Sequence, residues 1–219
     1  MTTSTTTPAT SSPTSTSLVR TRAAGLWCLA AALLGVVQAA VILGWPEQVS
    51  DDRYSYPFTP AWYVAAQASF AVQHLPLALG VVALAGTAAA RASRAARLGL
   101  LAATVGLVLL AVVEVVAISA AHAAEDSSRG DLVSNSYAVP VLLTGTGLLV
   151  AGIALVRRRA EWTGSPLLPW LVLALGIYVF IPLTPAIAGS FVAGRLGIGG
   201  WMLLFAVFGA ALARHDDAA

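Results

Sequence analysis

The sequence predicts an all-α, polytopic membrane bundle of about six transmembrane helices with both termini on the cytoplasmic side. Three observations carry that expectation. Of 219 residues, 58% are hydrophobic and only 10% are charged, against roughly 45–50% and 25% in soluble domains. Six apolar stretches recur, each near the ~20 residues needed to cross ~30 Å of hydrocarbon. The arginines also divide unequally between the two sides that those stretches define.

Residues 1–17 are almost wholly Thr, Ser, Pro and Ala. Such a segment buries too little apolar surface to offset its ordering entropy and reads as a disordered cytoplasmic tail. The folded part is expected from near Leu18 to residue 214, with residues 215–219 a second short cytoplasmic tail. Spans fall at about 23–45, 61–89, 96–122, 137–156, 166–188 and 197–213. The second and third are joined by a short turn holding Arg91, Arg94 and Arg97. Between the last two, Pro182, Pro185 and the run Gly194 to Gly200 are expected to break helix, leaving a bend or a re-entrant piece whose backbone protein must cover. Arg20, Arg22 and the Val37-Gln38-Ala39 segment give the first span a second reading, as a secretory signal. Its apolar run exceeds the ~7–15 residues of such signals, and Trp45 anchors its far end, so a retained helix is the better fit.

With the N-terminus inside, Arg20, Arg22, Arg91, Arg94, Arg97, Arg157, Arg158, Arg159 and Arg214 are cytoplasmic, nine of the twelve basic residues. Only Arg53, Arg129 and Arg195 are outside, so the positive-inside rule selects N-in, C-in. Trp and Tyr favour the headgroup level. Trp27, Trp162 and Trp170 fall at expected inner ends. Trp45, Trp62, Trp201, Tyr54, Tyr56, Tyr63 and Tyr137 fall at outer ends, and Tyr178 alone lies deep. Pro57-Phe-Thr-Pro60-Ala-Trp62 before the second span is echoed by Pro166-Leu-Leu-Pro169-Trp170 before the fifth. Two inverted three-helix halves would produce that echo, and so would the ordinary preference of Pro and Trp for helix starts at the interface.

Ionisable groups within a span cost several kcal/mol, about 2.5–3.5 for Asp at the centre on the insertion scale, and so mark candidate sites. Glu114 stands in Val112-Val-Glu-Val-Val116 and His74 near the middle of the second span, with Gln67 and Gln73 close by. Gln38, Thr144, Thr146, Tyr178, Thr184 and Arg195 fall at comparable depth. The polar set thus gathers in the outer half, and an outward-facing cavity lined by Gln38, His74, Glu114 and Tyr178, with Arg195 at its mouth, is expected. Structural readings stand beside this one. Glu114 could pair with Arg195 or His74 to fix packing, His74 could bond a carbonyl, and Gln and Thr commonly serve as interhelical hydrogen-bond partners worth ~0.6 kcal/mol each.

No cofactor or metal is expected. His74, Glu114 and His122 are the only plausible ligand set, and no two share one helix at the i, i+3 or i, i+4 spacing that would fix a pair of zinc ligands. Lysine is absent, which excludes a phosphate-cradling Gly-Lys-Ser loop, and no Gly-x-Ser-x-Gly occurs. An enzyme is therefore not favoured. Cys28 is the only cysteine, so no intrachain disulfide forms. The cytoplasmic arginines Arg91, Arg94, Arg97, Arg157, Arg158 and Arg159 act as topology signals and would meet anionic lipid headgroups. No soluble domain is expected, and with it no nucleic-acid binding.

Gly176-Ile-Tyr-Val-Phe-Ile-Pro-Leu-Thr-Pro185, with Gly194-Arg-Leu-Gly-Ile-Gly-Gly-Trp-Met-Leu-Leu-Phe205, resembles the closing segment of uncharacterised multi-pass integral membrane proteins of actinobacteria. The arginine-only, alanine-rich composition fits such a high-GC source. The resemblance implies a bacterial plasma membrane location and no activity for individual positions. The function expected is binding or transport of a small molecule or proton. A non-transporting accessory membrane subunit and an intramembrane enzyme are the alternatives.

Overall fold

The computed structural model describes residues 15–159 and 165–215. Residues 1–14, which make up most of the expected N-terminal tail, Trp162 and residues 216–219 lie outside the described residues. Among the described residues six helices are long and apolar enough to cross a membrane, and the chain is a multi-pass helical bundle. The first span is α1 (Ser15–Leu43), the second α2 (Pro60–Ala85). A one-turn α3 (Ala88–Arg91) then leads into α4 (Arg94–Ala117), the third span. Beyond the 3-10 turn Ile118–Ala120 comes a short polar α5 (Ser128–Ser136), which runs through Tyr137 into α6 (Ala138–Arg157). The fifth span is composite: α7 (Leu168–Tyr178), a π-helical turn Val179–Leu183, and α8 (Thr184–Gly189). The sixth is α9 (Phe191–Ala213).

Local chemistry places the boundaries. Pro60 opens α2 and Pro169 lies in the first turn of α7, where a missing N–H costs nothing. The Ser93 hydroxyl accepts from the Ala96 amide to cap α4, Ser127 caps α5 from Gly130, and Ser190 caps α9 from Ala193. Each satisfies one donor that a helix start leaves open.

The spans form a ring in chain order: α1 packs on α2, α2 on α4, α4 on α6, α6 on α7, α7 on α9, and α9 closes on α1. Close backbone approach sets three of these seams. A Cβ on Gly209 would stand 2.6 Å from the Leu29 amide, and one on Gly25 would meet the Ala213 backbone, so α1 and α9 touch main chain to main chain. Gly147 sits likewise on Ala103 and Gly99, and Gly152 and Gly176 join α6 to α7. Lipid gives apolar helices no hydrophobic reason to associate, so small residues that admit dense van der Waals contact do that work. At the end nearer the termini the ring is filled by Leu77, Leu84, Leu100, Leu155, Phe205 and Phe208, all at most 1% exposed. Gly80 admits Cys28 and Phe208 there, so the centre is solid.

The last two spans differ from the expectation. The run Gly194 to Gly200 does not break helix; it lies inside α9, which begins at Phe191 rather than near residue 197. The connection is a single residue, Ser190, in extended conformation (φ −164°, ψ 161°), and the described residues there contain no re-entrant loop. Those glycines let α9 press on its neighbour, Gly197 against Ala186 and Leu183, and Gly200 beneath the Tyr178 hydroxyl. The irregularity lies instead one helix earlier. Pro182 and Pro185 lack amide donors, and the chain widens into the π-helical turn, where Val179 O accepts both the Thr184 amide and, at 2.7 Å, its hydroxyl. Trp201 is corrected too. It lies ten residues, ~15 Å, past the start of α9, is 5% exposed and packs edge-on against Phe205 rather than at an interface.

Candidate functional site

At the end away from the termini the ring is hollow. A cavity of about 830 Å³ lies among α1, α2, α4, α6, α9 and the bent α7–α8 wall, and the two long loops at that end cross it. Those loops are stitched together by backbone: the Tyr54 amide donates to Ala123 O at 3.1 Å and the Glu125 amide to Asp52 O at 2.7 Å. Trp45, Phe58 and Trp62 pack edge-on below them, and Tyr56 meets Phe191 at the start of α9.

Four of the five expected site residues line this cavity: Gln38, His74, Glu114 and Arg195. Tyr178 does not; its hydroxyl rests against Gly200 at the α7–α9 seam. Glu114 is buried, and its Oε2 accepts a 2.8 Å hydrogen bond from the Tyr137 hydroxyl. Its partner is thus a tyrosine, and neither Arg195 nor His74 bonds it directly. Tyr137 in turn receives Gln67 Nε2 at 3.5 Å, and the same amide donates to Tyr63 Oη at 3.0 Å. A chain Tyr63–Gln67–Tyr137–Glu114 therefore bridges α2, the start of α6, and α4.

His74 bonds its own helix, Nδ1 to Phe70 O at 2.7 Å. A carbonyl only accepts, so Nδ1 carries the proton, and in the neutral ring Nε2 is left as an acceptor. Gln38 Nε2 donates to Ser69 Oγ at 2.6 Å, while its Oε1 is buried without a partner. Arg195 lies over the Phe191 ring, 5.2 Å from its centroid, and lines the same cavity as Glu114, Tyr137 and Tyr63. Among the described residues no carboxylate comes within 4.0 Å of its guanidinium. Deeper down, Phe70, Leu110, Val141, Val179, Leu183 and Ile198 make the walls apolar.

At the mouth stand Asp51, Arg53, Tyr54 and Glu125. Arg53 donates to His122 O at 3.4 Å, and the Tyr54 and Ser134 hydroxyls share a 3.2 Å bond. Partial burial raises the Tyr54 phenol above its ordinary value; the bond with Ser134 opposes this, and the charges of Glu125 and Glu114 add to it. Desolvation likewise raises the Glu125 carboxyl.

The residues that sequence reasoning passed over are Tyr63, Tyr137 and Tyr54. All three read as headgroup anchors because their depth is right for one. What distinguishes them is direction: Tyr63 is buried and Tyr137 half-buried, turned inward onto Gln67 and Glu114. Trp27, Trp62 and Trp170, by contrast, are 64%, 53% and 49% exposed, as lipid-facing anchors are. A register count could have found Tyr63, since it stands four residues before Gln67 on one face of α2. Among the described residues no group of three His, Cys, Asp or Glu is placed to hold a metal. A scan against protein-family models and searches of curated proteins and of solved structures return no match to this chain.

Proposed function

We propose that this membrane protein binds, and exchanges with the outside, a small molecule held in the hollow half of its bundle. One observation carries the reading: Gln38, His74, Glu114 and Arg195, from four different helices, line a single cavity of about 830 Å³. That volume lies within the ~300–1,000 Å³ of small-molecule sites, and apolar walls with a few convergent polar groups are their usual composition. The π-helical turn beside the cavity fits the same reading, because irregular backbone at membrane depth is tolerated where it lines a cavity. The arginine distribution supports a mouth on the outside and both termini in the cytoplasm. On the same sequence grounds the protein belongs in a bacterial plasma membrane, among the actinobacterial multi-pass proteins that its last spans resemble. Arg91, Arg94, Arg97, Arg157 and Arg159, all exposed at the terminal end, and Arg158, bonded to Ala92 O, would then meet anionic headgroups.

The test is site-directed thiol labelling in intact cells on a Cys28→Ala background. Ala66→Cys, in the cavity, is expected to react with a membrane-impermeant methanethiosulfonate, and Leu77→Cys, in the solid half, is not. Failure of Ala66→Cys to react from outside overturns the reading.

A second reading, an accessory subunit, draws on a different feature. A lipid-side groove of about 460 Å³ runs between α4 and α6 over Ala102 and Thr146, above the buried glycines Gly99 and Gly147. Small residues such as Ala102 left partly uncovered in this way fit a partner helix. Recovery of a stoichiometric membrane partner, lost on Ala102→Leu, would favour it.

A further inference from the structure

Resting on the reading of the cavity as a binding site, we propose that its ligand is a small zwitterion with an apolar body, such as an apolar amino acid or short peptide, whose ammonium is taken by Glu114 and whose carboxylate by Arg195. In the ring α1–α2–α4–α6–α7–α9, helices α4 and α9 stand opposite one another. Glu114 is three residues (~4.5 Å) from the end of α4 and Arg195 four residues (~6 Å) from the start of α9, so each lies about one turn in from a mouth-side helix end. Opposite charges therefore line one cavity from opposite helices, with no ion pair between them inside 4.0 Å. Two charges built only to fix packing would close into direct contact, because separation in a low-dielectric site forfeits attraction. A ligand with its own two charges completes both at once and adds no net charge.

The unused hydrogen-bonding capacity divides the same way. On the α1 and α4 side, Gln38 Oε1 and Glu114 Oε1 make no hydrogen bond among the described residues; the amide oxygen only accepts, and so does the carboxylate in its ionised form. On the α9 side the Arg195 guanidinium, which can only donate, makes none among the described residues. An ammonium suits the first set and a carboxylate the second. Below them Phe70, Leu110, Val141 and Ile198 are available for an apolar body.

The purified full-length protein in nanodiscs tests this with a charge scan on wild type. The probes are leucine, phenylalanine and their dipeptide, each beside its deaminated carboxylate, its decarboxylated amine and an uncharged alcohol of the same skeleton, read by equilibrium binding. At least one zwitterion is expected to bind at least about tenfold tighter than both of its singly charged partners. Glu114→Gln is expected to remove the preference over the carboxylate-only analogue, and Arg195→Gln the preference over the amine-only analogue. A singly charged or neutral analogue that binds as tightly as its zwitterion overturns the proposal. If that binding is abolished by Ile198→Trp, which fills the cavity, the site itself stands. If no probe of any charge binds, the zwitterion proposal falls, and Ala66→Cys labelling separately decides the cavity's access.

Discussion

At the scale of single residues, the polar side chains in the hollow half of the bundle divide into those that satisfy one another and those that do not. Tyr137 belongs to the first group: its hydroxyl donates to Glu114 and accepts from Gln67. Tyr137→Phe keeps the ring and removes both bonds, leaving a buried carboxylate oxygen without its donor. Such a loss costs about 1–3 kcal/mol, though interhelical bonds in membranes average ~0.6. A destabilisation of about 1 kcal/mol is expected in reversible unfolding from mixed micelles, and the conservative Tyr63→Phe should cost less, since Gln67 keeps Tyr137. Tyr54, outside the spans, gives a pH signature. Its phenol titrates above 10.0 in the folded protein, chiefly through burial. A raised folded pKa makes the group's contribution complete below 10.0 and lost as pH climbs through the folded value. The loops at the mouth should therefore loosen in that alkaline window, read as faster amide exchange at Ala123 and Glu125, and Tyr54→Phe should remove that part of the response.

At the scale of elements, the spans were legible wherever hydropathy and caps agree, and illegible where a helix-breaking residue was neutralised by packing. The starts at Pro60 and Arg94 fall within two residues of the expected 61 and 96. The start of α9 does not, because Gly194, Gly197 and Gly200 signal a break in one dimension and a close contact in three. Ser190 is the cheaper clue: a serine three residues before the amide that it caps, with an apolar run following, is an N-terminal signature. Its role can be measured. Ser190→Ala removes the bond to the Ala193 amide at a turn only one residue long, and about 1 kcal/mol of stability should go with it. Ser190→Asp should keep the cap, so a thermal unfolding series reading alanine well below wild type and aspartate near it would mark the cap as the cause. The π-helical turn was not legible at all. Pro182 and Pro185 announce lost hydrogen bonds, but whether the chain kinks, breaks or widens depends on the Thr184 hydroxyl reaching Val179 O, a contact that no hydropathy count contains.

At the scale of the whole molecule, one ring of six spans is packed at one end and hollow at the other, and the division follows the side-chain inventory. Where the inner turns offer mainly Ala, Gly, Leu, Val and Phe, helices close on each other; where Gln38, Gln67, His74, Glu114 and Arg195 project inward, they cannot collapse without stranding polar groups. The sequence shows which half is polar, since depth is counted along each helix. It does not show which polar groups meet, since that needs the ring order, and hence depth alone sets Tyr178 beside residues that it does not join. The same division makes the glycine seams carry the assembly, and this can be tested directly. Gly147 faces the Ala103 amide, where a Cβ would lie 2.5 Å away, so Gly147→Leu must push α6 off α4 along a backbone contact that no rotamer change relieves. Overpacking of this kind costs typically about 1–3 kcal/mol, and here it acts on a helix pair that also supplies Glu114 and Tyr137. The expected outcome is a lowered melting temperature in nanodiscs together with weakened Tyr137–Glu114 coupling, seen as a smaller additional cost of Tyr137→Phe in the Gly147→Leu background than in wild type. Val150→Leu, on the lipid-facing side of the same helix, should change neither. If Gly147→Leu instead left both stability and coupling intact, the α4–α6 seam would not be what holds the hollow end open.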